Sequence, residues 1–283
     1  MSTTTPMCDL PEDHPGFHDP AYRARRAEIS RVGAAYVAGD PIPDVAYTPE
    51  EDEVWRLVST ELAAKHRELA CREVIASAAR VVLPVDRVPQ LREVNNRVHK
   101  LTGFSIAPVP GLVPTRQFYG ALADRTFLST QYIRHHSVPR YTPEPDIVHE
   151  IIGHANSLGS ARIADLYEAA GHASRRAESA AALEFFSRVW WFTMEFGVVH
   201  EDGALKAYGA GLLSSFGEMD AFRGAEVREW DFAAMGTVDY DITTYQPVLF
   251  AGESMDRVLD EVTAFFDAFD DDVAARLTEE ASR

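Results

Sequence analysis

The spacing of apolar side chains divides the chain into helix-length segments separated by glycine and proline punctuation. Residues 1–20, with prolines at 6, 11, 15 and 20 and histidines at 14 and 18, read as an irregular N-terminal arm. Residues 21–38 follow a helical period with Arg23, Arg25 and Arg26 on a solvated side, and Gly39-Asp40-Pro41-Ile42-Pro43 stops them. Thr48-Pro49-Glu50-Glu51 combines a Thr cap, a Pro at the first helical position and acids in the first turn, so a helix is expected from there to about His66. Two more are expected over 71–83 and from Val88-Pro89-Gln90 to just before Gly103. Residues 103–141 change character: four prolines, three glycines and short β-branched or aromatic runs predict loops and short strands. The helical pattern returns after Pro145, through about Ser157, then over 161–171 and 173–196. A hairpin over 198–206 turning at Glu201-Asp202-Gly203, a short helix over 214–222, a strand over 238–250 and a terminal acidic helix over 254–277 complete the reading. No repeat or low-complexity linker divides the chain. The expected architecture is one mainly α domain over 21–283 with a few short strands.

Charge narrows the partners. The chain carries 27 basic against 44 acidic residues, a formal net charge of -17, which would repel a phosphate backbone and argues against nucleic acid. Arg80 and Asp86 interrupt the apolar stretch over 74–88, well short of a membrane span. The polar, Thr-rich start has no secretory pattern, and Cys8 and Cys71 suit a reduced compartment, so a cytoplasmic location is expected. Residues 251–283 hold ten acids against three arginines, a solvated face.

Candidate chemistry concentrates in Asp146-Ile-Val-His149-Glu150-Ile-Ile-Gly153-His154. The segment is one residue longer between its histidines than the HExxH motif of zinc proteases. Histidines four apart on an α-helix are separated by about 40° and can share a metal, whereas five apart they are separated by about 140°. Both reach one ion only if the helix end bends or the metal sits across an open arc, which removes the main support for a metalloprotease. Two buried or capping histidines are the alternative. Glu195, alone inside the aromatic run Trp190-Trp191-Phe192-Thr193-Met194-Glu195-Phe196, is a third candidate ligand, because a buried unpaired carboxylate is costly. Two imidazoles and one carboxylate on one face of an octahedron leave open positions, as in non-haem Fe(II) oxygenases, with zinc an alternative ion.

Three segments carry a family resemblance: Thr142 to His154, Trp191-Phe-Thr-Met-Glu-Phe-Gly197, and Lys206-Ala-Tyr-Gly-Ala-Gly-Leu-Leu-Ser-Ser-Phe-Gly-Glu218. They resemble the pterin-dependent aromatic amino acid hydroxylases, and by size and pattern the short bacterial phenylalanine 4-monooxygenase type. His14-Pro-Gly-Phe-His-Asp-Pro20, Pro41 to Thr48 and Ala70-Cys-Arg-Glu73 extend the resemblance over most of the chain from His14 to about Val262.

The resemblance implies one catalytic domain binding Fe(II), tetrahydrobiopterin, O2 and a free aromatic amino acid, with the iron and pterin site centred on 111–218. It implies His149, His154 and Glu195 as iron ligands. Arg134 would hold the substrate carboxylate, which suits its planar fork, with Asp146 supporting it. Thr142 and Ser214 would contact the amino acid or its neighbours. Trp191 and Phe196 would wall the substrate ring, and Pro145 would pack on one face. Phe118 would stack on the pterin, with Gly111, Val113, Thr115, Glu150 and Trp190 around it. Two departures border the site: Ala155-Asn156 where the family usually has a small residue then Pro, and Trp190 where it often has Tyr.

Trp191 matches the bulky aromatic of phenylalanine and tyrosine hydroxylases, and Ile242 stands where tyrosine hydroxylases are acidic. An apolar group there offers a phenolic hydroxyl no partner. The implied reaction is therefore hydroxylation of L-phenylalanine to L-tyrosine, with 5-hydroxylation of tryptophan and meta-hydroxylation of phenylalanine as alternatives. A zinc metallohydrolase and a catalytically silent amino-acid-binding protein are the rivals from other classes. With nothing heptad-like after Asp270, a monomer is expected.

Overall fold

In the computed structural model, which describes residues 10–242 and 244–283, the helix starts follow the capping chemistry of the sequence. Helix α1 (Pro20–Ala34) is capped by Asp19, which accepts from the Ala21 and Tyr22 amides. Helix α2 (Pro49–Leu69) opens with a full capping box: Thr48 Oγ1 accepts from the Glu51 amide and the Glu51 carboxylate from the Thr48 amide. Helices α3 (Arg72–Val81) and α4 (Leu91–Thr102) follow, and their apolar rows Val74, Val81, Leu91, Val94 and Val98 enter the main core beside Trp55 and Leu62 of α2.

Residues 103–129 hold two short parallel strands, β1 (Ser105–Pro108) and β2 (Thr126–Ser129), but also helix α5 (Thr115–Leu122), where only loops and strands were expected. Helix α6 (Ala161–Arg176) runs straight through Gly171, where the sequence pattern suggested a break. The glycine serves packing instead: a Cβ there would lie 2.0 Å from the Ala123 backbone nitrogen, so its absence lets α6 close on the end of α5. The actual break falls at 177–179. There the Glu178 and Ser179 amides donate to Asp271, and Ser179 caps α7 (Ala180–Trp190).

Strands β3 (Val198–Glu201) and β4 (Ala204–Ala207) form the expected hairpin. They belong to a four-stranded sheet of order β4-β3-β6-β5, with β5 (Glu226–Glu229) and β6 (Val248–Gly252) parallel to each other. The helix expected over 214–222 is divided into α8 (Ala210–Ser214) and α9 (Glu218–Ala221), and α10 (Phe232–Thr237) follows β5. The strand expected over 238–250 is confined to β6; in the preceding loop the carbonyls of Asp241 and Thr244 accept from the Gln246 side chain rather than from a neighbouring strand. The terminal helix is two helices, α11 (Met255–Ala268) and α12 (Asp271–Ala281). Phe269, fully buried against Phe185 and Phe186, draws the chain inward, and Asp270 caps the restart.

The arm is packed where it is described, with Leu10 and His14 buried and a short 3-10 turn at Pro15–Phe17; residues 1–9, including Pro6 and Cys8, lie outside the described residues. Among the described residues no helix is long and apolar enough to cross a membrane.

Helix α8 packs on the turn that carries the paired histidines. A Cβ at Gly153 would stand 2.7 Å from the Ala210 carbonyl oxygen, so the two backbones meet with no room between them. Gly153→Ala is expected to destabilise the fold by about 1–3 kcal/mol, the cost of forcing volume into packed backbone, and a urea midpoint equal to that of the parent would contradict this.

Candidate active site

The five-residue spacing of the histidines finds its explanation in local backbone geometry. Residues His149–Ala155 form a π-helical turn, whose hydrogen bonds run from residue i to i+5 and bring residues five apart onto one face. His149 Nε2 and His154 Nε2 come within 3.0 Å of each other. The α-helical separation of about 140° therefore does not apply, and neither a bent end nor an open arc is needed. Asn156 contributes to the turn: its amide donates to the Ile151 carbonyl, five residues back, a bond that proline at this position would lack.

A second π-helical turn, Trp191–Glu195, extends α7, with the Phe196 amide donating to Trp191 O. Here too the residues five apart meet, and Trp190 Nε1–H donates to Glu195 Oε1 at 3.0 Å. Glu195 Oε1 lies 3.2 Å from His154 Nε2, and Oε2 lies 3.8 Å from His149 Nε2. Two ring nitrogens and one carboxylate thus converge on a single point.

Each histidine has its other nitrogen engaged. His149 Nδ1 is 2.9 Å from Ser214 Oγ, whose hydroxyl donates to the Ala210 carbonyl, and His154 Nδ1 is 2.7 Å from the Tyr167 hydroxyl. With Nδ1–H donating in both rings, the Nε2 lone pairs face each other and are free for a metal. The structure thus sets Ser214 behind a histidine. Tyr167 was not singled out from the sequence; it looks there like one more apolar position of α6. Tyr167→Phe and Ser214→Ala are each expected to weaken metal binding about 10–100-fold. Competition titration with Co(II) measures this, and unchanged affinity in both variants would remove these contacts from the metal's support.

Electrostatics select the third ligand. Glu150 also offers an oxygen within 4.8 Å of both histidine nitrogens. Its Oε1, however, faces the amide and hydroxyl of Thr130, and burial pushes its pKa up to about 8, which disfavours its anion. Burial also disfavours the Glu195 anion, yet His154, His149 and the Trp190 N–H outweigh it and hold the pKa down to about 2. Burial lowers His149 to about 4. It opposes charge on His154 as well, but Glu195 raises that group overall, supplying the negative charge that a divalent cation would meet. The anionic carboxylate and two imidazoles form the donor set that suits a non-haem Fe(II) with open positions.

Arg134 sits one bond network away. Its backbone amide and Nε donate to Asp146 Oδ2 at 2.8 and 2.9 Å, its Nη2 donates to Oδ1 at 2.8 Å, and both residues are buried. Asp146 Oδ1 also accepts from the His149 amide at 3.2 Å, so one carboxylate locks the guanidinium and the start of the histidine turn together. Thr142 Oγ1 donates to Glu144 O within the loop that leads to Pro145 and Asp146. Glu144 pairs with Arg26, which is buried and lies 4.5 Å from the centre of the Tyr132 ring. The expectation that Arg26 faces solvent is thereby corrected; its periodic position matched Arg23, but helix α1 lies against the 132–146 segment on that side.

Trp191 stacks on Tyr240 at 4.3 Å between ring centres and lies tilted against Phe196 at 4.4 Å. Phe118 packs edge-on against Phe127 and Trp190, and Phe127 lies 4.7 Å from the His154 ring. Gly111 is buried and Val113 half-buried ahead of Thr115, which starts α5 exposed. Ile242 is 65% exposed in the 238–247 loop rather than enclosed beside a ring. The histidines, Glu195, Glu150, Trp190 and Ser214 are therefore in one contact network, with Arg134 and Asp146 joined to it, while Ile242 stands at the surface.

Comparison with known proteins agrees with this geometry. Residues 2–281 match the family model of the biopterin-dependent aromatic amino acid hydroxylases. The chain is 48% identical over 270 residues to a phenylalanine 3-hydroxylase of Streptomyces coeruleorubidus, covering 95% of this chain and 97% of that one. It is 42% identical over 257 residues to phenylalanine-4-hydroxylase of Caenorhabditis elegans, covering 87% of this chain but 55% of that one, so it spans about half the length of this animal relative. Its fold superposes with a TM-score of 0.75 on the phenylalanine hydroxylase of Chromobacterium violaceum, solved with bound iron(III) and 7,8-dihydrobiopterin, at 27% identity over 86% of this chain and 93% of that one. The π-turned histidine pair, the buried glutamate and the matched family model describe one and the same protein: the chain belongs to the biopterin-dependent aromatic amino acid hydroxylases.

Proposed function

We propose that this hydroxylase is an Fe(II)- and tetrahydrobiopterin-dependent monooxygenase that uses O2 to hydroxylate the ring of free L-phenylalanine, and that the carbon it oxidises is the meta carbon. The observation that carries the position is the 48% identity, over nearly the whole of both chains, to a protein named as a phenylalanine 3-hydroxylase. It shifts the reading from the para product implied by the sequence motifs to one of their stated alternatives. The para reading keeps the support of the 42% identity to a 4-hydroxylase.

In this reading His149, His154 and Glu195 hold the iron on one face, and Phe118, Gly111, Val113, Thr115, Trp190 and Glu150 border the pterin. Bound iron and reduced pterin supply the activation of O2 and two electrons, so that one oxygen atom enters the ring. The chain's own residues supply position. Arg134, held by Asp146, pairs with the substrate carboxylate through the guanidinium face that Asp146 leaves open. Thr142 and Pro145 shape the loop beside it, and Trp191 and Phe196 wall the ring.

The test is a product analysis. Protein loaded anaerobically with Fe(II) is given tetrahydrobiopterin, O2 and an equal mixture of phenylalanine, tyrosine and tryptophan, and products are separated against isomer standards. Meta-tyrosine dependent on pterin and iron is the expected result. Para-tyrosine would replace the position, 5-hydroxytryptophan the substrate, and absence of any pterin-dependent product would reject the reading.

A further inference from the structure

We propose that Gln246 selects the ring carbon that is hydroxylated, acting as a positioning residue that holds the Trp191 indole in one rotation. The inference rests on the reading above, in which Trp191 walls the substrate ring. The stack on Tyr240, at 15° between planes, and the tilted contact with Phe196 fix the plane of the indole but not its rotation within that plane. The one polar atom of the ring does that: Trp191 Nε1–H donates to Gln246 Oε1 at 2.9 Å.

Gln246 is itself held rigidly. It is buried, and its backbone amide donates to Glu218 Oε1 at 2.9 Å. Its side-chain Nε2 donates to the carbonyls of Asp241 at 2.8 Å and Thr244 at 3.1 Å. Both amide hydrogens are thereby used, which fixes the flip of the amide and aims its carbonyl at the indole. The other end of the same loop is tied to α7, where Arg188 donates to the Thr237 carbonyl and pairs with Asp239, each at 2.9 Å. The indole is thus clamped through the loop to α7 and, through Glu218, to α9. Meta and para carbons are neighbours on the ring, so a small rotation of one wall is enough to change which of them lies nearest the oxidant.

The experiment measures the ratio of meta- to para-tyrosine formed by one enzyme preparation, a quantity independent of iron occupancy and of the active fraction. Gln246→Leu removes the acceptor at similar volume and is expected to raise the share of the minor isomer about tenfold. In the metal-free protein the Trp191 Nε1–H NMR resonance should move upfield as its hydrogen bond is lost. In a Trp191→Phe background, which has no indole N–H, Gln246→Leu should then change the ratio no further. Gln246→Met reads the same way should the leucine variant not fold.

An unchanged ratio in Gln246→Leu despite a shifted N–H resonance would overturn the proposal. So would an equal change in the Trp191→Phe background, which would mean that Gln246 acts through the loop and not through the indole. Failure of the parent protein to hydroxylate phenylalanine at all would instead reject the functional reading, and is distinguishable because it appears before any substitution is made.

Discussion

Glu195→Ala is expected to lose iron and hydroxylation together. The substitution removes the carboxylate that faces both histidines and leaves the buried Trp190 N–H without its acceptor. Losing one partner of a buried charged contact costs about 3–5 kcal/mol, which for metal affinity corresponds to about 10²–10⁴-fold in Kd. Iron content per chain after dialysis and product formation under saturating Fe(II) are the two measurements. Glu150→Ala is the informative comparison, because Glu150 also offers an oxygen within 4.8 Å of the histidine nitrogens but is turned to Thr130, and burial disfavours its anion. It should retain iron where Glu195→Ala does not. Reversal of that order would make Glu150 the ligand.

Arg134→Lys is expected to lower kcat/KM for phenylalanine by about 30- to 5,000-fold while iron binding persists. Lysine keeps the charge but not the fork, so it cannot both grip Asp146 through two nitrogens and present a second planar edge to a carboxylate. Truncating one side of a buried hydrogen-bonded charge pair costs about 2–5 kcal/mol, which sets the range. The carboxylate of Asp146 remains to accept from the His149 amide, so the histidine turn keeps its start. Steady-state kinetics with phenylalanine alongside an iron assay separate the effects. A normal KM would make Arg134 a structural partner of Asp146; loss of iron would make it a support of the metal.

The sequence made the donor set legible but not its geometry. His149, His154 and Glu195 stood out as residue types, yet an ideal helical period set the histidines on different faces. The period failed because the backbone departs from it at that place, and a widened turn leaves no composition signal. Chain ends of elements were legible where a side chain caps them, as at Thr48. Boundaries were missed where tertiary packing decides: Gly171 reads as a stop but lies in a helix that needs close approach to Ala123. Phe269 reads as one more helical apolar residue but pulls the chain inward. Arg26 was misjudged for the same reason, since its partner Glu144 is more than a hundred residues away in sequence. Tyr167 and Gln246 carry no local pattern at all; each matters only through what folding brings against it.

Each π-helical turn, counted along the chain, is an α-helix with one residue too many. The change that would erase it is therefore a deletion and not a substitution. Removing Ile152 would leave the histidines four apart, still on one face of an ordinary helix, and so still able to share an ion. Everything after the deletion would be turned by about 100° around the helix axis relative to what precedes it. Ser214, which meets His149 through its Nδ1, and Glu195, which faces the same ring, would be carried out of reach, because both follow the deletion and His149 precedes it. The shortened chain would keep a pair of metal ligands and lose the surroundings that orient them, so the extra residue belongs to the phasing of the whole site with the helices behind it.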